Sequence, residues 1–172
     1  MMHRVRIYGD PLLRQRAQDI ETIDGSLRLL AEEMFVTMYR EHGVGLAAPQ
    51  IGRPVSLFVM DPRPLEDGSS PLVLLNPRLI DQRGEFLFEE GCLSIPDIRV
   101  DLVRPDCVAV EGMDLDGKPV CIEARGVVGR ILQHEIDHLN GTLFVDRLGT
   151  IRQQMIAAQL EELERTQRQT AG

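Results

Sequence analysis

Two histidines four residues apart, with a carboxylate between them, are the residues best suited to chemistry. His134, Glu135 and His138 belong to the segment HEIDH, an H-E-x-x-H motif. In a helix the two imidazoles would lie one above the other and could bind one metal ion, while Glu135 could accept a proton from an activated water. The alternative is a surface helix with two ordinary histidines. Apolar residues at helical spacing flank the motif: Val127, Val128, Ile131, Leu132, Ile136 and Leu139.

A catalytic metal site needs a third protein ligand and one position left for water. No histidine follows His138, and the glutamates downstream lie in a charged C-terminal segment. We therefore expect the third ligand upstream, at Cys92 in the segment EGCLS, because a thiolate suits a borderline metal and glycine lies beside it. The alternative for a lone cysteine is a small buried hydrophobic residue, which is what we predict for Cys107 and Cys121.

The elements that would position these residues are predicted from apolar spacing and turn residues. Asp24 or Ser26 is expected to cap a first helix whose core-facing residues are Leu27, Leu30, Met34 and Met38. Residues 43–52 are rich in glycine, alanine and proline and favour a loop whose backbone another group can approach closely. Short strands are predicted at 55–60, 72–75, 86–88, 98–103, 107–110 and 119–124.

The end of the chain completes the predicted architecture. Asp116 and Gly117 form a hairpin turn signal, the HEIDH helix should span about 126–140, and a last helix should span about 151–165. This order predicts an α+β fold of one domain over residues 1–172. Mainly antiparallel sheets would pack around the central helix that carries HExxH, and a C-terminal helix would follow.

Composition narrows the class of protein. The 172 residues are 43% hydrophobic and 27% charged, which is typical of a globular domain with its own core. The formal net charge of −8 argues against direct nucleic-acid binding. No apolar run reaches the ~20 residues that span a membrane, and the N-terminus lacks the apolar region of a signal peptide. Three cysteines fit a reducing compartment, so we expect a cytoplasmic protein.

Three motifs together resemble one known family. GVGLAAPQ at 43–50, EGCLS at 90–94 and QHEIDH at 133–138 have the order and separations found in peptide deformylases. The resemblance covers roughly residues 5–148 and includes GDPLLR at 9–14, LNG at 139–141 and DR at 146–147. Each motif is moderately specific, whereas the three together are highly specific.

The resemblance implies a reaction and a cofactor. Peptide deformylases remove the N-formyl group from the N-terminal formyl-methionine of newly made polypeptides and release formate. One divalent metal ion per chain is implied, usually Fe(II), with Zn(II), Ni(II) or Co(II) as alternatives. The ligands carried over are Cys92, His134 and His138. Glu135 would act as base and then as acid, while the Gln50 side-chain amide and the Leu93 backbone N–H would stabilise charge on the formyl oxygen.

Substrate recognition is carried over in the same way. The backbone of Gly45 would contact the substrate, and Glu90 with Arg104 matches an ion pair that orients the cysteine loop in the family. Four apolar residues would line a pocket for the methionine side chain: Val44, Phe88, Val127 and Ile131. The alternative for each of these four residues is ordinary core packing.

Two segments depart from the family pattern. In bacterial members the C-terminal helix is often basic and can dock on the ribosome, but here residues 151–172 carry three arginines and three glutamates, which cancel. We therefore expect formyl-methionyl nascent polypeptides as partners and at most a transient ribosome contact, with no direct nucleic-acid or membrane binding. The segment PDIRV at 96–100 keeps its arginine but varies around it, so contacts beyond the methionine are not predicted.

Two other functions compete with this interpretation. A zincin-type metallopeptidase would share the HExxH helix but needs a downstream third ligand, and it would not need Gln50 or EGCLS. A deformylase-like binding protein without activity would have lost a ligand or the base. The chain retains every one of those residues: Cys92, His134, His138, Glu135 and Gln50.

Overall fold

The computed structural model describes residues 2–171 as an α+β fold with antiparallel sheets, as predicted. Its helices are α1 (Gly25–Arg40), α2 (Gly126–Leu139) and α3 (Thr150–Ala171). Its strands are β1 (Gly45–Ala47), β2 (Leu57–Met60), β3 (Leu72–Arg83), β4 (Phe86–Cys92), β5 (Ile95–Arg104), β6 (Cys107–Met113) and β7 (Pro119–Arg125). Short 3-10 turns lie at Pro11–Arg14, Ala48–Ile51 and Phe144–Arg147. None of the helices in this range is long and apolar enough to cross a membrane.

The strands form two separate sheets. Five strands pair in the order β1-β2-β3-β6-β7, and each neighbouring pair is antiparallel. The predicted hairpin between β6 and β7 is confirmed, because Gly117 adopts a φ of 77° in the turn and Met113 pairs with Pro119. Strands β4 and β5 pair only with each other and form a second hairpin beside the main sheet.

The five-stranded sheet lies between α1 and α2. Strand β2 reads LFVM and is buried along its whole length, as expected for a strand covered on both faces. Phe58 and Met60 belong to the core cluster under α2, whereas Leu57 and Val59 belong to the cluster under α1. Because α2 packs against one face of this sheet and all five residues of the HExxH segment are buried, this segment lies in the core of the molecule.

The first helix begins where the capping signal predicts. The Asp24 carboxylate accepts hydrogen bonds from the backbone N–H groups of Ser26 (2.9 Å) and Leu27 (3.1 Å). Met34 and Met38 are fully buried, so the predicted core-facing stripe of this helix is confirmed.

A third core cluster holds the β4–β5 hairpin in place. Ile98 and Leu102 of β5 pack with Phe144 from the turn after α2 and with Ile156 from α3. This packing fixes the end of β4, where Cys92 lies, next to the central helix.

Several predicted boundaries are wrong. Strand β3 continues to Arg83 instead of ending at residue 75, because its polar second half pairs with β6, as in the pair Arg83↔Cys107. Helix α3 is longer than predicted and reaches Ala171. Strands β4 and β5 are also longer, and residues 43–52 form a short strand followed by a 3-10 turn instead of a loop.

Cys121 is exposed and Cys107 is only partly buried, so both predictions of buried cysteines are wrong. The reason for Cys121 is that β7 is an edge strand whose alternate residues face solvent.

Candidate metal centre and active site

Three donor side chains meet where the end of β4 touches α2. Cys92 Sγ lies 3.2 Å from His138 Nε2, which lies 3.1 Å from His134 Nε2, and all three donors fall within 4.8 Å of one another. Donor atoms bound to one ion are ~3–4 Å apart when each bond is ~2.0–2.3 Å long. The cluster therefore has the composition and spacing of a three-ligand metal site.

The hydrogen bonds around the two imidazoles support the same conclusion. His134 Nδ1 lies 2.9 Å from Glu90 Oε2, an acceptor that holds a proton on Nδ1 and leaves Nε2 directed at the cluster. His138 Nδ1 is buried without a hydrogen-bond partner among the described residues. Two imidazoles that direct Nε2 at each other and at a sulfur atom fit a shared cation better than a chain of hydrogen bonds.

Protonation in the metal-free chain is divided unequally between the two histidines. Burial lowers the pKa of His134, but hydrogen bonds with Cys92 and Glu90 outweigh burial and hold it well above its usual value. Burial and the charge on His134 hold the pKa of His138 well below its usual value. A proton thus occupies part of the donor cluster, and a divalent cation would displace it on binding.

Glu90 anchors the ligands to a buried ionic network. Arg104 donates to both Glu90 oxygens, at 2.9 Å and 2.7 Å, so the predicted Glu90–Arg104 contact is confirmed. Arg104 also donates to Asp137 (2.8 Å), and Arg147 binds the same carboxylate with two bonds of 2.6 Å. Although burial alone would raise the pKa of Glu90, the bonds from His134 and Arg104 lower it, so the carboxylate stays ionised. The network ties β4, β5 and α2 together around the histidines.

Glu135 lies inside the site with an unsatisfied oxygen. It is only 3% exposed, and its Oε2 has no hydrogen-bond partner in the described part of the chain. Burial raises its pKa to about 7. Its carboxyl group packs against the Gly45 backbone so closely that a Cβ on Gly45 would lie 2.8 Å from Glu135 Cδ. Gly45 therefore leaves the space that this carboxyl group occupies.

Gln50 reaches the same centre from the 3-10 turn at Ala48–Ile51. Its Oε1 accepts from the Ala47 backbone N–H at 2.8 Å, which fixes the amide so that Nε2 faces the cluster. Nε2 donates to Ser94 Oγ (3.1 Å) and lies 3.5 Å from Cys92 Sγ. Ser94 N in turn lies 3.4 Å from the same sulfur atom. The amide is thus held as a donor beside the sulfur atom of Cys92.

The remaining predicted residues lie in or against the core clusters and on β4. Leu93 packs on Gly43, where an added Cβ would lie 2.7 Å from Leu93 Cδ1. Ile131 belongs to the core cluster under α2, and Val44 and Val127 pack against that cluster. Phe88 is half-buried on β4 and stacks on Phe86, with 5.7 Å between ring centroids. Three of the four predicted pocket residues therefore share one cluster, whereas Phe88 lies on the other sheet.

Comparison with known proteins identifies the family. The polypeptide deformylase family model matches residues 2–154 of the chain. This chain belongs to the polypeptide deformylase family. The peptide deformylase of Thermodesulfovibrio yellowstonii is 44% identical over 151 residues, covering 88% of this chain and 92% of that protein. The peptide deformylase of Picosynechococcus is 50% identical over 142 residues, covering 81% and 75%.

Solved structures agree with the sequence comparison. The crystal structure of the Thermus thermophilus peptide deformylase superposes with a TM-score of 0.89 at 39% identity, covering 98% of this chain and 99% of that one. The enzyme class expected from the three motifs, a metal-dependent deformylase, is therefore confirmed by both sequence and fold.

Sequence reasoning missed several residues that support the deformylase site. Ser94 lies within EGCLS and Asp137 within HEIDH, but the motifs do not predict the contacts that these side chains make with Gln50 and Arg104. Sequence reasoning also missed Arg130. An arginine among apolar helix residues, one turn before His134, indicates a buried cation with charged partners, and this signal could have identified the residue.

Proposed function

We propose that Cys92, His134 and His138 bind one divalent metal ion, beside which Glu135 acts in hydrolysis of the formyl group of formyl-methionyl polypeptides. The observation that carries this proposal is the convergence of the three donor atoms within 4.8 Å. A bound ion supplies a Lewis acid that lowers the pKa of water towards neutrality and polarises a carbonyl oxygen. We propose Fe(II) as this ion, with Zn(II), Ni(II) or Co(II) as alternatives, because one thiolate and two imidazoles suit each of them.

Glu135 is proposed to move the proton. Its free Oε2 can accept the proton of the attacking water and later return it to the nitrogen of the leaving amine. A base works best when its pKa lies near the working pH, and burial has raised this pKa to about 7 in the metal-free chain. The contact with Gly45 holds the carboxyl group in position for both transfers.

Gln50 and Leu93 are proposed to stabilise the negative charge that develops on the formyl oxygen. The Gln50 amide is fixed as a donor by Ala47 before substrate arrives, so no reorganisation is needed during the reaction. Leu93 directly follows the ligand Cys92 and begins the turn between β4 and β5, so its backbone N–H lies next to the ligand in the chain.

Substrate binding is proposed to use the backbone of Gly45 and an apolar pocket for the methionine side chain. Val44, Val127 and Ile131 would form one wall, and their shared cluster supports this assignment. Phe88 would form the opposite wall. Such a pocket discriminates through the area that it removes from water, so other apolar side chains are disfavoured but not excluded.

Three broader proposals accompany this mechanism. We propose that residues 1–172 act as one catalytic domain and that the protein works in the cytoplasm, where formylated nascent chains emerge. We also propose that any ribosome contact is transient, because residues 151–172 have no net charge and so lack the basic surface that binds phosphates.

Formate release from a formyl-Met peptide tests the proposed function. The protein should be purified anaerobically with its metal quantified, and Glu135→Ala and an unformylated peptide should be run beside it. We expect formate from the wild type and none from Glu135→Ala that retains its metal. If metal-loaded wild type releases no formate but cleaves the unformylated peptide, the zincin-type peptidase replaces the deformylase. If it does neither, the non-catalytic binding protein becomes the better interpretation.

A further inference from the structure

Arg130 is a buried cation that the proposed mechanism does not use. It lies on α2 one turn before His134 and is only 3% exposed. Burial of a guanidinium group is costly unless charged partners and hydrogen bonds compensate. The contacts of Arg130 should therefore indicate what the residue does.

Those contacts fasten both strands of the β4–β5 hairpin to α2. Arg130 Nη1 donates to Glu90 Oε1 at 2.7 Å. Nη2 donates to the backbone oxygen of Phe86 on β4 at 2.5 Å and to that of Leu102 on β5 at 2.7 Å. A planar guanidinium can reach three acceptors in different directions, which a lysine ammonium on a flexible stem does less well.

The same guanidinium lies over two aromatic rings. Its Cζ is 5.5 Å from the centroid of Phe86 and 5.8 Å from that of Phe88. The two rings stack on each other, so the cation and the Phe86 ring together define where the Phe88 ring can lie.

This arrangement connects Phe88 to the helix that carries two other residues of the proposed methionine pocket. Val127 is three residues before Arg130 on α2, and Ile131 follows it directly. Phe88 lies on the separate β4–β5 hairpin, so in the proposed pocket the distance between this hairpin and α2 would set the width. Arg130 bonds to the hairpin backbone two residues from Phe88 and also contacts the ring itself.

We propose that Arg130 is a positioning residue that determines specificity: it fixes the Phe88 ring relative to α2 and thereby sets the preference for methionine as the first substrate residue. The proposal rests on the proposed function for its substrate. Arg130 itself acts through Phe88 and through the hairpin, not on the reacting atoms.

The kinetic test compares formyl-Met and formyl-Ala peptides with Arg130→Met and Arg130→Lys. Arg165→Met is the matched control, since Arg165 is an exposed helical arginine paired with Glu162. In Arg130→Met the ratio of kcat/KM for formyl-Met over formyl-Ala should fall by about tenfold, mainly through a higher KM for the formyl-Met peptide. Arg130→Lys should lose less of this ratio, and Arg165→Met should lose none. An equal loss on both peptides, or no loss, would overturn the proposal.

A double-mutant cycle with Phe88→Leu separates positioning from general support of the fold. If Arg130 acts through the Phe88 ring, Arg130→Lys should change the ratio by less than about twofold in the Phe88→Leu background. A full effect in that background would refute the proposed route. Arg130→Lys carries this test even if Arg130→Met does not fold.

A measurement independent of turnover completes the test. The chain contains five phenylalanines and no tryptophan, so fluorophenylalanine NMR gives few resonances, and Phe88→Leu identifies that of Phe88. We expect this resonance to move in Arg130→Lys and to stay in place in Arg165→Lys. An unmoved Phe88 resonance would contradict the inference. Failure of the proposed function would give a different result from failure of this inference, because the wild type would then release no formate from either peptide.

Discussion

Replacement of Gly45 by alanine should disable the proposed base while it leaves the fold intact. The added Cβ would lie 2.8 Å from Glu135 Cδ and 3.1 Å from Cγ, and it would come even closer to Oε1. Carbon atoms in contact prefer ~3.5–4.0 Å, so the carboxyl group must move by about 1 Å. The group that must move is the end of a flexible side chain, so rotation of Glu135 is the cheapest response.

The size of the effect follows from that displacement. Misplacement of a catalytic group by ~1 Å can cost ~100-fold in rate, which corresponds to ~2.7 kcal/mol in the activation free energy. Because rotation of the Glu135 side chain alone relieves the overlap, the free energy of unfolding should fall by about 1 kcal/mol, at the low end for overpacking. Alanine retains the backbone groups of Gly45, so KM should change much less than kcat.

Formate release, metal content and urea unfolding would be measured on Gly45→Ala and on Gly25→Ala. Gly25 begins α1 with nothing within 4 Å of an added Cβ, so it controls for the glycine-to-alanine change itself. An unchanged kcat in Gly45→Ala would refute the reasoning. Loss of metal or of folded protein in proportion to the lost activity would refute it as well.

Three further predictions concern charge, protonation and the metal. Glu90→Gln should weaken metal binding by ~10–100-fold in a chelator competition, because His134 Nδ1 loses its carboxylate partner; unaltered affinity would contradict the role of this contact. In the metal-free chain the folded state binds the Glu135 proton more tightly, because the pKa is about 7 in the folded state and has its ordinary value of 4.5 in the unfolded chain. The contribution of this proton to stability is therefore complete below pH 4.5 and is lost as the pH rises through about 7. Relative to Glu135→Gln, the metal-free wild type should lose roughly 3 kcal/mol of stability between about pH 4 and about pH 8 in urea unfolding, whereas a constant difference would speak against the raised pKa. Removal of the metal by a chelator should lower Tm, and re-addition should restore it in proportion to the logarithm of the metal concentration; an unaffected Tm would argue against a site formed in the native state.

The sequence predicted those parts of the fold that are determined by residues close together in the chain. The cap at Asp24, the turn at Gly117 and the HEIDH helix follow from neighbouring residues, and the structure has all three. The second half of β3 could not be predicted in the same way, because its polar residues form a strand only through their pairing with β6. The exposure of Cys121 likewise depends on β7 being an edge strand, which is a property of the whole sheet.

Residue types and motifs predicted the metal-binding donor atoms, but they did not predict the residues that hold these donors in position. The need for a third ligand led to Cys92, and the structure brings its sulfur atom to 3.2 Å from His138 Nε2. Arg130 bonds to Phe86 and Ser94 bonds to Gln50. Each partner is 44 residues away in the chain, so these contacts exist only after the fold has formed.

Titration of metal-free protein with Fe(II) under anaerobic conditions, followed by formate release from a formyl-Met peptide, tests the central claim most directly. We expect activity to rise linearly and to stop at one metal ion per chain, with Cys92→Ser giving weaker binding and lower activity. Protein that binds one ion per chain and still releases no formate would contradict the account, and so would full activity without any bound metal.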